Sequence, residues 1–281
     1  MAGSINEIIN KIEKRLRNLE SKTLGSVVIS RLTPANGVTG DFLAKASSTD
    51  YDVEWRTGYL YSATVYYTSS GTFTFSPATY PDLKAVRVRL VGGGGGGGGC
   101  ATTGSTQSAA GGAGGGAGYS EEFIVMDSST ASVTVTVGAG GNNGAAGANS
   151  GSAGGTSSFG AYLSATGGSG GSGDAASTAP VYGSSGGAGG VGSGGDLNLY
   201  GTAGGRSFSI STNGDSMYWI GGGGSMLSAQ SYMQASASGA AGNDGLVYGM
   251  GGGGGVNTTS QATARAGADG SAGIVIVDVF V

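Results

Sequence analysis

Few residues in this chain could do chemistry, and their types narrow what that chemistry could be. Among 281 residues there is no histidine, which removes a nucleophile–histidine triad and an imidazole metal centre. The single cysteine, Cys100, allows no intrachain disulfide. It directly follows eight consecutive glycines, where a lone thiol reads as a small filler. Paired carboxylates could hydrolyse a glycan, and Asp174, Asp196, Asp215, Asp244 and Asp269 qualify by type. Their contexts, such as Asn213-Gly214-Asp215, Asn243-Asp244-Gly245 and Ala268-Asp269-Gly270, are turn sequences first. The glycine runs invite a phosphate-loop reading, yet no Gly-Lys-Ser/Thr follows any of them, and lysine is absent after Lys84. No catalytic residue, metal site or cofactor is therefore expected.

Non-covalent recognition remains. An interface hot spot uses aromatic, Arg and Met side chains on loops held by a rigid scaffold. Such residues occur at Arg206, at Met217, Tyr218 and Trp219, and at Tyr232 and Met233, with Tyr182 a further case. The alternative is that the aromatics plug the scaffold or pack between protomers.

The elements that must position these residues are unusual. Of 63 glycines, six precede residue 92, so 57 fall in the last 190 residues. That is 30% of the segment, about four times ordinary usage. Residues 92–281 hold only Arg206 and Arg265 against nine acids, while residues 1–91 carry 11 Lys and Arg against eight acids. A disordered segment would normally carry more charge or proline. Small residues cannot build an ordinary side-chain core either. The acidic balance argues against nucleic acid, and no run approaches the length of a membrane span. The charged N-terminus lacks the apolar region of a signal peptide, so synthesis in a reducing cytoplasm is expected.

Residues 4–23 read as an amphipathic helix. Ser4 and Glu7 form a capping box, and Ile5, Ile9, Ile12, Leu16 and Leu19 fall at alternating spacings of four and three. Ile at both seam positions points to three or more strands of coiled coil. Beyond it, short strands are expected near 27–29, 41–46 and 51–55, then at 64–67, 71–75 and 83–91. Further strands are expected at 122–126, 132–137, 162–165 and 274–281, the last continuously apolar. Several strands run straight into glycine: Val91 into Gly92, Val137 into Gly138, Thr166 into Gly167; Ile274 emerges from Gly273. The pattern predicts a β base from which extended glycine helices leave, turn at a tip and return. Segments 100–110, 142–153, 174–183, 206–219, 226–240 and 256–266 would be the tip loops.

Residues Leu32 to Trp55, most clearly Thr49-Asp50-Tyr51-Asp52-Val53-Glu54-Trp55, resemble short segments of bacteriophage tail fibres. Residues 83–281 resemble the glycine-rich domain of such fibres. The carriers are Val86-Arg87-Val88-Arg89-Leu90-Val91 before polyglycine, Gly118-Tyr119-Ser120, and Val133-Thr134-Val135-Thr136-Val137-Gly138. In style the region is similar to the polyglycine tip adhesins of T-even-like phages. The resemblance implies a mostly β homotrimeric fibre with a short N-terminal coiled-coil helix. A β-sandwich-like base would continue into packed polyglycine-II helices. Residues 1–24 would be coiled coil and attachment, 25–58 a β shaft or joint, and 59–91 the base of the head. Residues 92–281 would be the tip domain, completed by strand 274–281. The implied partners are two further copies, another tail or capsid protein at the N-terminal region, and a host cell-surface receptor. The implied location is the virion. A capsid head fibre and a glycan-depolymerising tail spike are the alternatives.

Overall fold

The structure is a computed structural model, and it describes residues 10–15, 37, 41–48, 52–178, 181–182, 184–209, 221–230 and 239–281. It is mostly β, with antiparallel sheets and very little helix. The chain divides into two compact units, Met1–Leu60 with Val281, and Tyr61–Phe280.

In the first unit residues 10–15 are helical, and Ile12, the one expected seam residue described, is 52% exposed. Ile5, Ile9, Leu16 and Leu19 lie outside the described residues, as does the strand expected near 27–29. Strands β1 (Asp41–Lys45) and β2 (Val53–Thr57) pair antiparallel, with Leu43 opposite Trp55. Strand β2 starts two residues later than the pattern around Tyr51 suggests. Phe42 and Leu43 are neighbours on β1, so they point to opposite faces, and both are exposed. A lone two-stranded ribbon of this kind is marginal by itself.

The second unit is built on two five-stranded antiparallel sheets. One has the order β13 (Leu197–Leu199), β7 (Tyr119–Val125), β5 (Ala85–Val91), β16 (Ile274–Phe280), β3 (Tyr61–Tyr67). The other runs β12 (Gly192–Ser193), β10 (Leu163–Ala165), β9 (Ser157–Phe159), β8 (Val133–Val137), β4 (Gly71–Phe75). Their facing sides share one core. Val86, Val88 and Leu90 of β5 and Val275, Val277 and Val279 of β16 pack with Val135, Phe159, Leu163 and Phe75 of the other sheet. Period-two alternation aims every second side chain inward, as the sequence pattern predicts. Each fully buried Val, Leu or Phe contributes roughly 1.5–3 kcal/mol. The strand expected at 122–126 starts earlier, at Tyr119, because the backbone of 119–121 pairs with both β5 and β13.

Beyond the strand ends, the glycine-rich segments form a bundle held by backbone alone. Segment 92–99 leaves β5 and is its centre. Gly92, Gly95 and Gly98 donate their N–H to the carbonyls of Gly118, Gly115 and Gly112. Gly93, Gly96 and Gly99 donate to Gly155, Ser152 and Asn149, while Gly94 and Gly97 donate to Ser271 and Ala268. The descending partner numbers mean that all three of these neighbours run antiparallel to it. Its carbonyls accept from three parallel neighbours: Gly93 and Gly96 from Gly168 and Gly171, Gly94 and Gly97 from Gly141 and Gly144, Gly95 and Gly98 from Gly252 and Gly255. The donor distances from Gly93 to Gly99 are 2.8–2.9 Å. Every third residue faces the same neighbour, so six segments surround the centre and every N–H of residues 92–99 is paired with one of them.

Glycine is required here by proximity, not by backbone angle. None of residues 92–99 has a positive φ. A Cβ on Gly93, Gly94 or Gly97 would lie 1.9 Å from a neighbouring carbonyl oxygen, and one on Gly96 would lie 2.0 Å from that of Asn142. Outer segments need glycine only on the face that meets the bundle. Gly267, Gly270 and Gly273 each point at a carbonyl of 91–97, and Gly151 and Gly154 point at those of Gly96 and Gly93. Between them sit Ala, Ser and Asp, so outer segments read Gly-x-x and inner ones unbroken glycine. Two alanines are admitted inside: Ala113 packs with Ala110 and Val256, and Ala117 with Val91, Tyr119 and Tyr248.

Candidate functional site

The ends of these segments farthest from the sheets bring several loops together. Cys100 closes segment 92–99 by bridging to Asp174 on one side and Arg265 on the other. Two short ladders follow: β6 (Ala109–Ala110) with β15 (Val256–Asn257), and β11 (Val181–Tyr182) with β14 (Phe208–Ser209). Ser108 and Ser177 exchange both backbone hydrogen bonds. These contacts join 100–110, 174–178, 181–182, 206–209 and 256–265 into one surface. The expected loop at 142–153 is mostly bundle, since Gly144, Gly151 and Ser152 all donate into it, and only residues 146–148 turn.

Small polar side chains fasten this end. The Asp174 carboxylate accepts the N–H of Ala110 at 2.7 Å and the hydroxyl of Ser184 at 3.2 Å. The buried hydroxyl of Ser207 donates to the Ala110 carbonyl at 2.5 Å. Thr103 donates to the Thr258 carbonyl and accepts the N–H of Gln261 at 3.0 Å. Asn257 donates to the carbonyls of Ala101 and Thr263 at 2.9 and 2.8 Å. Burial pushes the Cys100 thiol up to about 12, so it is a neutral filler of the seam at neutral pH. The Arg265 Nε is buried with no hydrogen-bond partner among the described residues.

Of the expected recognition residues, the structure describes Arg206 and Tyr182. Arg206 is exposed at this end and reaches the Ser185 hydroxyl at 3.5 Å. Tyr182 lies beside it in the fold, its backbone paired with Phe208. Met217, Tyr218, Trp219, Tyr232 and Met233 lie outside the described residues. Met226 and Leu227, expected at the tip, turn at the opposite end. There Ser225 donates to the Tyr248 carbonyl at 2.8 Å, and Tyr248 packs against the strand ends.

Most of the carboxylates chosen by type hold backbone. Asp244 accepts the N–H of Asp269 at 3.0 Å, Asp269 that of Asn143 at 2.7 Å, and Asp196 that of Phe123 at 3.4 Å. Asp215 lies outside the described residues. Among the described residues no group of three or more His, Cys, Asp or Glu could hold a metal ion, and no helix is long and apolar enough to cross a membrane. A shallow cavity of about 190 Å³, lined by Tyr162, Leu163, Ser164 and Ser193, lies at the β10–β12 end of the sheets, away from the loops.

Sequence reasoning missed Ser207, Thr103 and Asn257 as fasteners. Only their position at the ends of glycine runs could have marked them, and many surface Ser and Thr share it.

No curated protein matches the chain in sequence. Residues 68–280, from the end of β3 to the end of β16, match the family described as a glycine-rich domain, and the chain belongs to that family.

Proposed function

We propose that the chain is a structural virion protein, a phage tail fibre or tail-tip adhesin that holds a host cell-surface receptor non-covalently. In this reading the bundle segments are polyglycine-II helices, three residues per turn. The N-terminal heptads gather three copies, and the region around them attaches to another tail or capsid protein. Weak single-site binding by three heads then sums to avidity. The observation that carries the reading is the six-neighbour ladder around residues 92–99. A scaffold so completely satisfied by its own backbone leaves its terminal loops free to vary without unfolding it, which suits a receptor-binding surface. Arg206 and Tyr182 lie in those loops.

The test is retention of the labelled full-length chain on host cells, comparing wild type with Arg206→Ala and with a triple serine replacement of Met217, Tyr218 and Trp219. Point changes are needed because residues 221–224 belong to the bundle, so deleting the whole 206–238 region would remove scaffold. Lost retention with an unchanged melting curve supports the adhesin. Retention equal to wild type in both variants contradicts it, and oligosaccharide released from host polysaccharide would point to a depolymerase instead.

A further inference from the structure

The outer face of the β12–β4 sheet carries a line of hydroxyls. Thr72, Thr136, Ser158, Ser164 and Ser193 sit opposite one another in register across all five strands. Their strand neighbours Val135, Val137, Leu163 and Ala165 are buried, so the hydroxyls point outward. At the β10–β12 end of this line lies the cavity of about 190 Å³. Its walls are set by two glycines in the left-handed region, Gly160 with φ 52° and Gly194 with φ 86°. A Cβ on Gly194 would lie 2.4 Å from the Tyr162 carbonyl oxygen, and one on Gly160 would lie 2.9 Å from Val133 Cγ1. The Tyr162 ring leans on Phe159, with centroids 6.0 Å apart, and is still 40% exposed where it lines the cavity. Across from it, Ser164 and Ser193 share one hydrogen bond, Oγ to Oγ, at 3.0 Å. That bond uses one of their two O–H groups and leaves acceptor lone pairs on both oxygens.

We propose that this cavity binds one pyranose ring of a neutral saccharide. The site lies on the sheets, away from the tip loops, so the proposal stands independently of the adhesin reading. Three observations select the ligand. No lining residue carries a charged side chain, so the cavity offers nothing to hold an anion or a cation. The Ser164–Ser193 pair can both donate and accept, which suits a ligand whose hydroxyls do the same. Tyr162 sets an aromatic wall beside that pair, and the apolar C–H face of a sugar ring stacks on such a wall. An aromatic surface with a few convergent polar groups is the ordinary make-up of a small-molecule site. The volume limits the occupant to a single ring. A longer saccharide would leave the cavity over Ser158 and Thr136, where the line of hydroxyls continues.

The experiment is saturation-transfer NMR on the full-length chain. The probes are the methyl glycosides of glucose, galactose, mannose and N-acetylglucosamine, with sodium glucuronate as the charged comparison. Each is titrated to about 50 mM, because so small a contact binds in the millimolar range. The expected result is a saturable signal from at least one methyl glycoside. Tyr162→Ala weakens that binding about tenfold or more, and Tyr162→Phe keeps it, since the ring and not its hydroxyl makes the wall. Ser164→Gln abolishes it by filling the cavity from an outward strand position, with the Tyr162–Phe159 contact left in place. Ser164→Gln therefore decides the matter if Tyr162→Ala fails to fold. No saturable signal from any of the four glycosides overturns the proposal. So does binding that Ser164→Gln leaves unchanged, which would put the sugar elsewhere on the chain. Glucuronate bound more tightly than all four glycosides overturns the choice of a neutral ligand.

Discussion

Replacing Gly96 with alanine adds one methyl group, and the bundle has no room for it. Its Cβ would sit 2.0 Å from the Asn142 oxygen, 2.5 Å from the Asn142 carbon and 2.9 Å from the Gly141 oxygen, all backbone atoms. Ordinary contact begins near 3.4 Å, so segments 92–99 and 141–144 must separate by more than an ångström. That motion stretches the bonds from Gly141 to Gly94 and from Gly144 to Gly97, both 2.8 Å. It also strains those of Gly96 to Ser152 and from Gly171. Each buried backbone group left unpaired costs about 1–3 kcal/mol. Losing two to four of them amounts to about 4–8 kcal/mol, comparable with the ~5–15 kcal/mol stability of a whole domain. At roughly 2–4 °C per kcal/mol for a domain of this size, the melting temperature falls by more than about 10 °C, or the chain fails to fold. The assay is thermal melting by circular dichroism beside Ser169→Ala, whose side chain faces solvent and which stays within about 0.5 kcal/mol of wild type. A Gly96→Ala protein melting within about 3 °C of wild type would refute the packing argument.

Four further outcomes follow from the charged and buried groups. Removing Arg89 leaves the Asp278 carboxylate, 9% exposed, without its cation, so Arg89→Ala destabilises by about 2–3 kcal/mol in urea unfolding, whereas Asp278→Asn with Arg89→Met recovers part of the loss. Burial, with Asp196 adding to it, pushes the Glu122 pKa up, and its Oε2 has no hydrogen-bond partner among the described residues. The folded state thus binds that proton more tightly than the unfolded state, and stability is lost as pH rises through the raised pKa. Glu122→Gln therefore melts higher than wild type at pH 7, and the gain disappears below about pH 4. Glu121 behaves in the opposite sense: burial raises its pKa, but hydrogen bonds from Tyr119 and Arg87 outweigh that and hold it low. Its stabilisation is present above the normal carboxylate range and lost as pH falls through the depressed pKa, so Glu121→Gln flattens the acid limb of the stability curve. Cys100, buried and held neutral, reacts with thiol reagents only in denaturant; reaction of one thiol per chain in native buffer would show the seam at the tip to be open.

The base was legible because side chains decide it. Alternation in Val86-Arg87-Val88-Arg89-Leu90 and in Val133-Thr134-Val135-Thr136-Val137 gives β5 and β8 and their inward faces directly. The strand-to-glycine junctions at Val91 and Val137 likewise mark where strands leave the sheets for the bundle. The short ladders β6–β15 and β11–β14 carry no such signal, since Ala109-Ala110 pairs with Val256-Asn257 only because neighbouring segments bring them level. The place of Met226 and Leu227 carries no signal for the same reason. Nothing in Ser225-Met226-Leu227 distinguishes a turn at the strand ends from one at the tip; the contact from Ser225 to Tyr248 does. One rule was present and unread: unbroken glycine at 92–99 and 251–255 marks the interior, while Gly239, Gly242 and Gly245 or Gly267, Gly270 and Gly273, three apart, mark segments with one face inward. At the candidate site, Arg206 was visible as one of two arginines in a nearly uncharged region. The polar fasteners were not visible, because their role depends on which carbonyl happens to lie opposite.

The central claim is that the glycine-rich region is a packed scaffold and not a linker, and amide hydrogen exchange tests it most directly. If residues 93–99 and 112–117 each donate to a neighbouring segment, their amides exchange only on global unfolding, as slowly as those of β5 and β16. Exchange of those amides within seconds, while β5 and β16 remain protected, would contradict the account.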